Sequence, residues 1–189
     1  MDARSYLSQA GLTLDVNQVH EAQQSLWTVL EEAKKRSLPA TPSSLDRLYI
    51  SATPTTGVRS GQPFDLGRAL GGRTTQTSFA LLTLDALVDA VHQALASSWL
   101  RIYQLRSGVL LRLTYRGGLA RAQVPLHDET DPVARVARAG RAVLSGAEGW
   151  VPLLDETGAL VGVIEASASE LAPALLAALA IEAVNNLPP

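Results

Sequence analysis

The chain of 189 residues contains no cysteine. That excludes disulfides, thiolate metal sites, thiol nucleophiles and thioether-linked chromophores, and leaves the redox compartment open. Lysine is nearly missing too, represented by Lys34 and Lys35 alone. A phosphate-binding loop needs Gly-Lys-Ser/Thr, so the glycine-rich run from Gly67 to Arg73 does not qualify. Long apolar runs are absent: the longest, residues 171–181, is broken by Pro173 and falls short of the roughly 18 residues of a membrane span. Charge of one sign is also lacking. A net charge of -2 with 47% apolar residues describes a soluble globular protein, with no demand for nucleic acid or an anionic membrane as partner. The start, Met-Asp-Ala-Arg-Ser-Tyr, has no basic region leading into an apolar core, so no leader and a cytoplasmic location are expected.

What is present centres on residues 150–168. Two apolar strands, 151–154 and 160–166, flank the turn Asp155-Glu156-Thr157-Gly158. Gly158 suits a positive φ that a Cβ would resist. Both strands are apolar on both faces, which predicts a central hairpin covered on two sides. Glu165 breaks the second strand and shares a face with Val161 and Val163 by period two. It stands either at the strand's exposed end or in a pocket.

Residues 14–36 read as a helix capped by Asp15, with Val16, Val19, Leu26, Leu30 and Ala33 as a narrow apolar stripe. Gln23 interrupts that stripe and Trp27 borders it. Such a stripe packs either on the domain's own helices or on a twin in a dimer. Residues 37–77 shift to Pro, Gly, Ser and Thr, which predicts a linker or a wrapping extension. Residues 84–96 follow the i, i+3, i+4, i+7 template of an amphipathic helix, with Thr83 as cap. The alternation of Leu100 and Ile102 with Arg101 and Tyr103, and of Leu111 and Leu113 with Arg112 and Thr114, predicts a hairpin, and residues 121–126 a further strand. Asp131-Pro132 opens a short helix that Gly140 ends. A broad apolar helix over 171–187 closes the chain.

The organisation is therefore 1–36 as an N-terminal helical segment, 37–77 as the connection and 78–187 as an α+β domain, with a central, mostly antiparallel sheet and helices packed on one face. Within it, Val-Pro-Leu-Leu, Arg-Ala-Gly-Arg-Ala-Val-Leu and Gly-Val-Ile-Glu-Ala before an Ala/Leu helix resemble GAF domains, as does the order of elements. The resemblance covers about residues 78–186.

It implies a small-molecule pocket bounded by one sheet face, the short helix and its flanking loops. Tyr103, Arg112, Tyr115, His127, Arg135, Arg138, Trp150 and Glu165 are the polar and aromatic candidates there, and Asp131 is explained as a helix cap. Arg135 and Arg138, three apart on one helix face, suit a carboxylate or phosphate; a solvated face is the alternative. His127 beside two acids suits a pH switch or metal, or plain exposure. His20, His92 and His127 stand in separate elements, with no metal-ligand spacing. The free-methionine sulfoxide reductases and the cysteine-linked bilin binders of the family would need cysteine, and the cyclic-nucleotide signature Asn-Lys-any-Phe-Asp-Glu is absent. No nucleophile elbow or cofactor fingerprint occurs. The sequence thus predicts no enzyme and no identified cofactor. It predicts a regulatory module that senses a small molecule and acts through a partner protein, or alternatively a ligand-free interaction module that forms a homodimer through its helical faces.

Overall fold

A computed structural model of the chain describes residues 1–36, 46, 48–51, 64–118 and 121–189. Helix α1 (Ala3–Ala10) precedes the first helix expected from the sequence. Asp2 caps it by accepting from the Ser5 N–H at 3.0 Å, and Gly11 at φ 71° ends it. Its buried face is Ala3, Tyr6, Leu7 and Ala10, the spacing of an amphipathic helix. Helix α2 (Val16–Arg36) follows, with the Asp15 carboxylate accepting from the Asn17 N–H at 2.9 Å.

Of the Pro/Gly-rich stretch, residues 37–45, 47 and 52–63 lie outside the described residues. The rest of it carries regular structure: β1 (Ile50–Ser51), β2 (Phe64–Asp65), α3 (Leu66–Ala69) and the start of α4 (Thr75–Leu95). Helix α4 begins at Thr75 rather than Leu84. Thr74 is the cap, its hydroxyl accepting from the Thr77 N–H at 3.0 Å. Burial of Thr77, Ala80 and Leu81 carries the inward face back through residues whose Ser/Thr content reads as loop. Tertiary contact overrides local propensity here.

The sheet is built from β3 (Trp99–Arg106), β4 (Val109–Gly117), β5 (Gln123–Pro125), β6 (Val143–Ser145), β7 (Glu148–Leu154) and β8 (Leu160–Ser167). Helix α5 (Pro132–Ala139) lies between β5 and β6, and α6 (Pro173–Val184) closes the chain. The strand order is β5-β4-β3-β8-β7-β6, every neighbour antiparallel. The predicted hairpin, β7 and β8, turns at Asp155, whose carboxylate accepts from the N–H groups of Thr157 and Ala159 at 2.9 Å each. Gly158 sits at φ 85°.

The two sheet faces have different covers. Ile102, Leu111, Val151, Leu153 and Ile164 pack under the helices in the larger core. Helices α4 and α6 lie on that face, and α2 packs across both of them. Of the two neighbours open to the α2 stripe, the structure supplies the domain's own helices. Gln23 breaks the stripe because it meets Glu182 of α6, donating to it at 2.8 Å. On the other face Tyr103, Leu110, Trp150 and Val163 meet Val133, Val136 and Ala137 of α5. By length and composition α4 is apolar enough to cross a membrane, but Leu81, Leu84, Leu87, Val88 and Val91 are fully buried in the core.

Candidate functional site

Cross-strand register assembles the site. Trp150 pairs with Glu165, Glu165 with Arg101, and Arg101 with Tyr115, so one row crosses β7, β8, β3 and β4. The next row runs Pro152, Val163, Tyr103, Arg112. Strict alternation would put Arg112 and Tyr115, three residues apart, on opposite faces. An irregularity in the β3–β4 register between Ile102 and Tyr103 resets the phase. Such a bulge places one extra residue in β4, and both side chains reach the same face. Thr114, expected beside Arg112, turns to the helices and donates to Asp85 at 2.9 Å.

Glu165 is the hub. Its Oε2 accepts from Arg101 Nη1 at 2.8 Å and from the Tyr103 hydroxyl at 3.4 Å, and its Oε1 accepts from Trp150 Nε1 at 3.4 Å. Arg101 also donates to the Gly118 carbonyl at 3.1 Å and lies over the Trp99 ring, 5.2 Å from its centroid. The side chains of the ion pair are only 10% and 13% exposed. Of the two alternatives for Glu165, the exposed strand end does not hold, since its side chain is largely buried among Arg101, Tyr103 and Trp150. Burial, and then the Glu165 charge, push the Tyr103 hydroxyl far above its ordinary value and keep it a neutral donor. Burial pulls the Arg112 guanidinium below its ordinary value. That guanidinium stacks on Tyr115, 4.3 Å from the ring centroid.

Where the rows run out at β4, a groove of about 580 Å³ opens between β4 and α4, lined by Arg112, Tyr115, Arg116, Asp85 and Asp89 among others. Arg116 spans its helix side. Its Nη1 donates to Asp85 Oδ1 at 2.7 Å and its Nε to Asp89 Oδ1 at 2.8 Å. The hydrogen bonds to Asp85 lead in raising the Arg116 pKa above its ordinary value.

The other candidates stand apart. Arg138 donates to the carbonyls of Leu126 at 2.5 Å and Asp128 at 3.3 Å, which pins the loop before α5. Arg135 and His127 are exposed. Asp131 caps α5, accepting from the Val133 N–H at 2.8 Å, and is also paired with Arg121. Between α5 and the sheet lies the smaller apolar cluster. Arg101, Asp85, Asp89 and Arg116 were not among the candidates. Arg101 was within reach, since period two already set it beside Tyr103. Among the described residues no group of three or more His, Asp or Glu is gathered as a metal site requires.

No protein-family model matches the chain, and no curated protein matches it in sequence. Solved structures match it in shape. A putative GAF sensor protein from Burkholderia vietnamiensis aligns with a TM-score of 0.52 at 14% identity, over 88% of this chain and 89% of that one. A type II free methionine-R-sulfoxide reductase from Thermoplasma acidophilum gives 0.51 at 16%, over 58% and 93%. The GAF domain of an Acinetobacter phosphoenolpyruvate-protein phosphotransferase gives 0.50 at 14%, over 62% and 85%. The reductase corrects the expectation that the chain is no enzyme, because a structure as similar as the sensor is one. Missing motifs excluded particular chemistries, and a missing thiol excludes thiol chemistry; neither excludes catalysis on this scaffold. From element order, sheet topology and these likenesses, the chain has a GAF-like fold.

Proposed function

We propose that this chain is a regulatory GAF-like module that binds a small polar molecule between β4 and α4 and signals through its helical layer to a partner protein. The groove of about 580 Å³ beside Arg112 and Tyr115 carries the reading. Its size falls in the range of small-molecule sites, and it joins an aromatic wall to charged groups held by their own partners. One wall is α4, against which α2 and α6 pack. A ligand that bridges β4 and α4 differs in its contacts between two spacings of that helix, and this difference is what coupling requires. Sensor proteins share the fold, which supports the regulatory half of the proposal.

The test is native mass spectrometry of protein purified gently from its source, then denaturation to identify any released molecule. That molecule should bind the Tyr115→Ala variant at least about tenfold more weakly, the loss of one stacked contact, at an unchanged melting temperature. Equal affinity would remove the groove from consideration. A second reading, a ligand-free module that forms homodimers, is favoured by the packed space under α5, where the family resemblance puts a ligand. A clean apo dimer in the same spectra would support it.

A further inference from the structure

A second groove, of about 290 Å³, lies on the helical layer where α2 runs beside the end of α6. Trp27, Leu30, Glu31, Lys34 and Glu182 are among the residues that line it. Glu182 is only 5% exposed. Among the described residues the hydrogen-bonding partner of its side chain is neutral: Gln23 Nε2 donates to Oε1 at 2.8 Å. The cation in the groove, Lys34, is instead paired with Glu31 at 3.1 Å. A buried carboxyl without a cation is costly, and acidic side chains are rarely this buried unless paired.

Lys34 aside, the helix end and the indole in the groove favour positive charge. Helix α6 ends at Val184 beside it, so the negative end of that helix dipole points there. Trp27 lines it with an indole that is 51% exposed, a residue type rarely left so open and the best ring for holding a cation. The volume suits a head group of a few heavy atoms. We propose that this groove is a binding site for a small organic cation, an ammonium or guanidinium head that pairs with Glu182 and lies against Trp27. It is separate from the groove at β4.

The chain has three tryptophans, so nitrogen-15 labelling of the indoles reads the site directly. Titration with n-butylguanidinium should shift the Trp27 indole resonance saturably and leave those of Trp99 and Trp150 in place. Butyrate, of opposite charge, should do nothing. Glu182→Gln keeps an oxygen acceptor for Gln23 and should weaken binding about tenfold or more, the loss of one charged hydrogen bond. Lys34→Gln, on the surface, should tighten it by removing the competing cation. If Glu182→Gln does not fold, Lys34→Gln still decides through the Trp27 resonance, and Trp27→Leu, which lacks that reporter, decides by isothermal titration calorimetry. A Gly-Arg-Gly peptide is the second probe. Binding of free n-butylguanidinium assigns the groove to small molecules, while binding of the peptide alone assigns it to an arginine of a partner. No saturable shift with either probe overturns the site, and so does binding indifferent to the foldable variants.

Discussion

Arg101 and Glu165 are each other's main compensation for leaving water, at 10% and 13% side-chain exposure. Removing one partner leaves the other charge stranded, so Glu165→Ala should lower the unfolding free energy by about 3 kcal/mol in urea titrations. The double change Arg101→Met with Glu165→Leu removes both charges and should cost less than that single change. A double variant as unstable as the sum of the two singles would deny the pairing. Tyr6 and Tyr103 make a second residue-scale prediction. Burial raises both hydroxyls above the ordinary 10.0. A raised folded pKa contributes stability that is complete below 10.0 and is lost as pH rises beyond it. The melting temperature should therefore fall above about pH 10, and tyrosinate absorbance in the ultraviolet should show these two tyrosines ionising only as the chain unfolds. At this scale much was legible. The faces of Tyr103 and Glu165 follow from period two, while Arg112 joins Tyr115 only through a bulge that no alternation reveals.

Helix faces make the next scale testable. A homodimer through the helical faces would be broken by a charge on them, and Leu26 of α2 and Leu179 of α6 are apolar positions on those helices. Both are in the larger core, at 3% and 0% exposure. A charge there has no partner, so Leu179→Asp should abolish cooperative unfolding at a cost of about 4 kcal/mol or more. Circular dichroism with sedimentation would show a misfolded chain and not a folded monomer. Helix α1 escaped the sequence reading although Asp2, the Ala3-Tyr6-Leu7-Ala10 stripe and Gly11 all announced it; its eight residues made a short pattern. Its anchor could not be read, because the Tyr6 hydroxyl donates to the Pro152 carbonyl, 146 residues away, at 2.8 Å. The start of α4 was hidden for the opposite reason, since long-range burial recruits a Thr/Ser segment that local propensity assigns to loop.

Across the molecule, hydrogen-bonded turns and caps set the response to acid. Asp155 is held below the ordinary 3.8 by the Thr157 hydroxyl, Asp128 by the Thr130 hydroxyl and Asp2 by the Ser5 backbone N–H. A depressed folded pKa contributes stability that is present above 3.8 and is lost as pH falls through the folded values. Thermal melts should thus be flat near neutrality and decline below pH 4, and Asp155→Asn should flatten part of that decline. The order of elements from residue 84 onward was legible from periodicity and turns, and the buried β7–β8 hairpin from its two apolar faces. The two grooves were not, since each is defined by distant segments: β4 against α4, and α2 against the end of α6.

The β3–β8 pairing that aligns Arg101 with Glu165 has a kinetic consequence. Each flanking hairpin, β3–β4 and β7–β8, closes through a turn of a few residues and can form locally. Their seam joins residues 64 apart in the chain, and the entropy of closing so long a loop precedes any return from the contacts it makes. Folding speed should therefore track the seam and not the turns. Gly162 lies on it, where an added Cβ would come within 2.1 Å of the Tyr103 carbonyl oxygen. Gly162→Ala, which blocks that close approach, should therefore slow refolding in stopped-flow measurements more than a change in either hairpin turn.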